Sequence, residues 1–135
     1  MRVDMSIIIG TAIWLLIVLL AIANGVLRDK VLAQLLGKKL ALPLSGISLS
    51  TLIVIVASNT IHFTGLSTFK GFINLGVYWL SITVIFEYTM GLFVEKKSLH
   101  EINQVFNIKK GNLFVLVLIV VTLAPPLIAY YKELY

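Results

Sequence analysis

The sequence predicts an all-α protein, a four-transmembrane-helix bundle with two short cytoplasmic amphipathic interfacial helices. The chain has 135 residues, of which 59% are hydrophobic and only 13% are charged, whereas roughly a quarter of the residues of a soluble domain are charged. Four apolar stretches each approach or exceed the length of about 20 residues that a helix needs to cross a bilayer. These stretches use most of the chain, so we expect a single integral membrane domain over residues 1–135.

The predicted spans differ in how polar they are. They cover residues 7–27, 47–63, 72–94 and 113–130. The first contains 21 residues without a charge, and the second is the most polar because it is rich in serine and threonine. Pro125 and Pro126 lie late in the fourth span, where they are expected to kink the helix or end its regular hydrogen bonding.

The connection after the first span predicts a short interfacial helix over residues 28–36. Its leucines and valine share one helical face, and its charged residues and glutamine share the other. A plain amphipathic connector and a partner-binding helix both fit this pattern. Gly37 is expected to end the helix, and Pro43, Ser45 and Gly46 predict the turn into the second span.

The connection between the third and fourth spans predicts the second interfacial helix, over residues 98–107. Ser98 is followed three residues later by Glu101, which is the spacing of a capping box. The apolar residues that follow share one helical face. They are Leu99, Ile102, Val105 and Phe106.

The distribution of basic residues predicts the orientation and the partners. Eight of the eleven lysines and arginines fall in the two long connections, and three fall elsewhere. The positive-inside rule therefore places both connections in the cytoplasm and both termini outside, as in a multi-pass protein of a bacterial inner membrane. Because the basic residues are divided between these two connections, the net charge of +5 favours contact with anionic lipids rather than with nucleic acid.

The third span carries Glu87 among apolar residues, and this acid is the central candidate for function. Glu87 precedes Lys96 by nine residues, or about 13 Å of helix, so it lies within the inner half of the bilayer. Asn24 and Arg28 of the first span reach the same depth. We expect an Arg28–Glu87 ion pair, with Asn24 and Thr83 as hydrogen-bonding neighbours.

Small residues on single helical faces predict where helices pack. In the first span these are Gly10 and Ala21, with Trp14 between them, and in the third span they are Gly76 and Gly91. Lipid offers such residues no favourable contact, so their faces are expected to meet other helices. The polar stripes exceed what one closed bundle of four short helices needs, which favours a homo-oligomer such as a dimer.

Several functions remain open for a protein of this kind. The leading hypothesis is a transport or channel-like protein that uses the Asn24/Arg28/Glu87 cluster. The alternatives are a purely structural Arg28–Glu87 pair, a non-enzymatic accessory or scaffold subunit that binds a larger protein partner through its loop helices, and a lipid-modifying enzyme. The sequence favours a non-enzymatic protein, because no nucleophile, phosphate-binding glycine loop or metal-ligand spacing accompanies the acid. We therefore predict no catalytic residue, no metal site and no cofactor.

Four short segments of the chain carry a resemblance to known proteins. They are Asn24-Gly25-x-x-Arg28, Trp79-Leu80, Phe86-Glu87-x-x-x-Gly91 and the stretch from Asn107 to Lys110 with Leu113. In this order they resemble a group of small, uncharacterised bacterial inner-membrane proteins. The resemblance implies a four-helix membrane protein and gives weight to Asn24, Arg28 and Glu87, but it implies no activity.

Overall fold

The computed structural model describes residues 2–135, with side chains described except at residues 2–4 and 110. Over this range the secondary structure is entirely helical. The α-helices are α1 (Arg2–Leu27), α2 (Ala33–Leu36), α3 (Lys38–Thr60), α4 (Phe69–Thr89), α5 (Leu99–Asn103) and α6 (Phe114–Tyr131). A π-helical turn at Arg28–Leu32 joins α1 to α2, a second at Met90–Val94 extends α4, and a 3₁₀ turn at Ile61–Thr64 extends α3.

Joined in this way, the helices form four long rods. Each rod is long and apolar enough to cross a membrane, and the four cover Met5–Leu36, Lys38–Thr64, Phe69–Val94 and Phe114–Tyr131. The prediction of an all-helical bundle with four apolar helices is therefore confirmed. Local signals set several ends: Gly37 (φ 83°) separates the first two rods, and the Thr68 hydroxyl caps α4 by accepting from the Gly71 amide at 3.0 Å.

The core of the bundle lies between α1, α3, α4 and α6. Helix α6 is central, because it packs extensively against both α3 and α4, whereas α1 packs mainly against α3. The fully buried Trp79 of α4 fills the middle, and its indole N–H donates to the Gly10 carbonyl of α1 at 3.0 Å. Because this bond satisfies the indole N–H, the buried Trp79 leaves no unpaired donor in the apolar core.

Two glycines allow α4 to approach α1 and α6 closely. A Cβ atom added at Gly10 would lie 2.7 Å from Leu75 Cδ1, and one added at Gly76 would lie 2.0 Å from the Thr122 carbonyl oxygen. The second contact is with backbone, which cannot rotate out of the way. Helices α4 and α6 therefore approach almost backbone to backbone at Gly76, as small residues permit in apolar bundles.

The second rod begins earlier than the sequence predicts. The predicted turn at Pro43, Ser45 and Gly46 is wrong, because α3 starts at Lys38 and contains all three residues. Ser45 is buried in the helix, and a Cβ added at Gly46 would lie 2.6 Å from Leu113 Cβ. Packing therefore favours a helix where the local composition favours a turn.

The prolines of α6 do not end the helix, which was one of the two outcomes expected. Pro125 and Pro126 lie inside the helix and are buried, and the helix continues past them to Tyr131. The helix is apolar and packed on two neighbours, so the hydrogen bonds that the prolines cannot form are not enough to end it.

We predict that Gly76→Ala destabilises the bundle while Gly25→Ala does not. The added methyl at residue 76 would force α4 away from Thr122, and overpacking of this kind costs about 1–3 kcal/mol. At Gly25 the nearest atom is the Arg28 Nη2, 3.6 Å from an added Cβ, which is an ordinary contact. The free energy of unfolding in mixed detergent micelles, followed by circular dichroism, measures both variants. Equal stabilities would contradict the close α4–α6 contact.

Candidate functional site

Both basic connections lie at one end of the bundle, here called the basic end (residues 28–39 and 95–112). They approach each other at Gly111, where an added Cβ would lie 3.7 Å from the Lys39 carbonyl oxygen, and the helices beside them are also in contact. Gly46 packs on Leu113, and a Cβ added at Gly111 would lie 3.3 Å from Pro43 Cδ. The start of α3 and the start of α6 are therefore neighbours, and the ends of α1 and α4 point toward the same surface.

Glu87 lies near the basic end on an inward stripe of α4. Gly76, Thr83, Glu87 and Gly91 follow at steps of seven, four and four residues, which places them on one helical face. The two glycines at the ends of this stripe are buried, one against Thr122 and the other against Ile102. Glu87 itself is half-buried, so the acid faces the bundle rather than away from it.

The Glu87 carboxyl group has no partner among the side chains that the structure describes. No hydrogen bond or ion pair within this set reaches it, and the charged groups near enough to act on it are Glu95, Lys97 and Arg28. No polar side-chain atom in the described part is both buried and unbonded. The Glu87 oxygens therefore remain accessible at the surface of the chain.

Arg28 is engaged elsewhere. Its Nε donates to Asp29 Oδ1 at 3.0 Å, and its Nη2 donates to Asp29 Oδ2 at 3.4 Å. The predicted Arg28–Glu87 ion pair is therefore wrong for this structure. The physical reason is proximity, because Asp29 lies beside Arg28 on the same π-helical turn and offers both oxygens to the guanidinium fork.

Asn24 and Thr83 form hydrogen bonds between helices and do not bond to Glu87. The Asn24 side-chain oxygen accepts a hydrogen bond from the Ser45 hydroxyl of α3. The Thr83 hydroxyl accepts from the Trp14 indole N–H of α1 at 2.9 Å. Each bond joins two helices inside an apolar bundle, where such a bond stabilises helix association by about 0.6 kcal/mol.

The sequence does not predict Ser45 as a residue of this site, because Pro43 and Gly46 beside it favour a turn. A periodic signal could have revealed it. Small and apolar residues recur at every fourth position from Ala41 to Ala57, and Ser45 is the second member of the series. Three others of these positions, Ala41, Ile53 and Ala57, are buried together with Ser45. An α-helix that starts before residue 41 places these positions along one side.

The residues predicted to pack helices lie in two kinds of environment. Gly10, Gly76 and Gly91 sit at close approaches, and Trp14 contacts Phe86 edge to face at 5.8 Å between ring centres. Ala21 is only half-buried. The predicted stripe of α1 is therefore in contact with neighbouring helices near Gly10 and Trp14 and becomes more open toward the basic end.

The segment between α4 and α6 is docked onto the end of α4. The predicted capping box is confirmed: the Ser98 N–H donates to Glu101 Oε1 at 3.0 Å, and the Glu101 N–H donates to Ser98 Oγ at 3.2 Å. The bond from the Ser98 backbone holds the pKa of the Glu101 carboxyl below its usual value. Ile102 is buried against Gly91, so α5 is fixed beside the stripe that carries Glu87.

Two shallow clefts of the bundle are apolar, and neither is lined by Glu87. One is a cleft between α1 and α3 with no room for a water molecule, and the other is a groove of about 340 Å³ between α4 and α6. Among the described residues, no group of three histidine or carboxylate side chains is placed to hold a metal ion.

Comparison with protein-family models, with curated proteins and with solved structures finds no match to this chain. The fold and the site define its class: an all-helical protein with four apolar helices, in which the half-buried Glu87 near the basic end has no partner among the described side chains.

We predict that Arg28→Gln and Glu87→Gln have additive effects on the free energy of unfolding. Groups that do not touch are expected to show a coupling energy below about 0.5 kcal/mol in a double-mutant cycle. The matched control is the cycle of Arg28→Gln with Asp29→Asn, where an exposed pair is expected to couple by about 0.2–1 kcal/mol. A coupling energy found between Arg28 and Glu87 but not between Arg28 and Asp29 would support the ion pair predicted from the sequence.

Proposed function

We propose that the four rods cross a membrane, with the basic end in the cytoplasm and both termini outside. The length and apolar character of the rods support insertion. The orientation is supported by the eight basic residues at the basic end, against three elsewhere. Helices α2 and α5 would then lie at the cytoplasmic interface, where their exposed Leu35, Leu36 and Leu99 would meet lipid. The resemblance to bacterial inner-membrane proteins suggests the inner membrane as the location.

Single cysteines test this orientation, because the natural chain contains none. Gln34 and His62 are both exposed; Gln34 lies in α2 at the basic end, and His62 lies in the 3₁₀ turn that follows α3 at the opposite end. In spheroplasts, a membrane-impermeant maleimide is expected to label His62→Cys at once and Gln34→Cys only after lysis. The opposite pattern would invert the topology, and immediate labelling of both would contradict membrane insertion.

We propose further that the protein is a small transporter in which Glu87 takes up and releases a proton from the cytoplasmic side. One observation carries this proposal: Glu87 faces the bundle, is half-buried, and has accessible oxygens without a described protein partner. An ionisable group at membrane depth is costly, and such groups commonly serve proton or ion pathways. An acid retained for structure alone would be expected to use Arg28, which pairs with Asp29 instead.

The pathway is proposed to be completed by a second copy of the chain. Within one chain, the cleft between α1 and α3 and the groove between α4 and α6 are apolar and are not lined by Glu87. A homodimer that places the open sides of α1 and α4 together would surround the acid with polar groups from both copies. Asn24 and Arg28 would then position other side chains at the cytoplasmic end of the pathway, because Asn24 bonds to Ser45 and Arg28 bonds to Asp29.

We predict that Glu87→Gln abolishes proton flux without unfolding the protein. Glutamine has nearly the same shape but carries no titratable proton, so the helix is retained and the proton site is lost. Flux is measured in proteoliposomes under an imposed pH gradient with an entrapped pH-sensitive dye, and folding by circular dichroism.

Glu133→Gln is the matched control, because Glu133 is an exposed acid that follows α6 at the opposite end of the bundle from Glu87. Its flux is expected to match the natural protein, and that of Glu87→Gln to match empty vesicles. A natural protein no faster than empty vesicles would contradict the transport proposal. In that case, a stoichiometric partner that co-purifies and is lost on Leu99→Glu would select the accessory-subunit alternative.

A further inference from the structure

A second site is suggested by the groove between α4 and α6. It has a volume of about 340 Å³ and is lined by Leu80, Val115, Leu118, Ile119, Thr122 and Leu123. Its one polar side chain, Thr122, donates its hydroxyl hydrogen to the Leu118 carbonyl at 2.7 Å. The groove therefore presents hydrocarbon to whatever occupies it.

The groove follows α6 for a length that a hydrocarbon chain can occupy. Val115 and Leu123 are eight residues apart, or about 12 Å along α6. The groove is open along its side and lined by hydrocarbon, which suits an acyl chain of a surrounding lipid.

The charge beside one end of the groove indicates the class of lipid. Val115 is the second residue of α6, so this end of the groove opens at the basic end. The adjoining segment, residues 95–112, contains four lysines against two glutamates, and Lys109 is exposed six residues before Val115. Lysines at this depth attract anionic rather than zwitterionic headgroups.

We propose that the α4–α6 groove binds one acyl chain of an anionic phospholipid, whose phosphate contacts the lysines of residues 95–112. This inference rests on the proposed membrane placement but not on proton uptake by Glu87. The same face of α4 carries Leu80 and, two turns later, Glu87, so the bound lipid would lie next to the proposed proton site.

Competition between two lipids tests the proposal. Purified protein in detergent is mixed with equal amounts of phosphatidylglycerol and phosphatidylcholine that have identical acyl chains, and the retained lipids are identified by native mass spectrometry. We expect one phosphatidylglycerol to be retained per chain in preference to phosphatidylcholine. Ile119→Trp, which fills the groove, is expected to release it. Leu19→Trp is the matched control, because Leu19 is 65% exposed on α1, and it should retain the lipid.

Two further variants separate the parts of the site. Lys109→Glu is expected to reduce the preference for phosphatidylglycerol while leaving phosphatidylcholine binding unchanged, because it alters only the headgroup contacts. Glu87→Gln is expected to retain the lipid fully even though it stops proton flux. The two proposals can therefore fail separately.

A photocrosslinking measurement on the natural protein avoids any dependence on variant folding. Phosphatidylglycerol with a diazirine in its acyl chain is expected to label peptides containing Leu80 or residues 115–123. Labelling spread evenly over the four rods, or equal retention of both lipids, would overturn the proposal. So would an Ile119→Trp variant that breaks a dimer without changing lipid retention, because the groove would then belong to a contact between copies.

Discussion

The backbone contact between Gly76 and Thr122 is the constraint on which the rest of the bundle depends. It brings α4 and α6 closer together than any side chain at residue 76 would allow, and it makes α6 the helix that touches both α3 and α4. In an apolar solvent, close packing of small residues replaces the hydrophobic effect as the force that joins helices. The groove lined by Leu80 and Val115 exists because the two helices touch at Gly76 and leave a gap beside that contact.

Helix α1 is held in a different way, by hydrogen bonds to its neighbours. Trp79 donates to Gly10, Trp14 donates to Thr83, and Ser6 donates to the Thr64 carbonyl at 2.7 Å. These bonds lie between the non-basic end and the middle of the bundle. Toward the basic end, the Ser45–Asn24 bond is the one side-chain bond of α1 to another helix among the residues that the structure describes, and the described ends of α1 and α4 share none. Glu87 lies in this part of α4 and has no partner among the described side chains.

The two rods that end near the acid share a local irregularity. Arg28 begins one π-helical turn, and Met90, three residues after Glu87, begins the other. In the second turn the Glu95 amide reaches back five residues to the Met90 carbonyl at 2.9 Å. Such turns are uncommon and occur frequently at functional sites. Both turns lie at the basic end, and the second begins three residues after Glu87.

The sequence by itself determined the four apolar rods, the break at Gly37 and the capping box of Ser98 and Glu101, because hydropathy and capping depend on residues close together in the chain. It also singled out Glu87 as an unusual acid. Only the tertiary structure decided that α3 begins at Lys38, that no described side chain bonds to Glu87, and that Asn24 bonds to Ser45. Those outcomes depend on which helical faces meet and how closely they pack. The spacing of residues within one helix does not determine its distance to another helix.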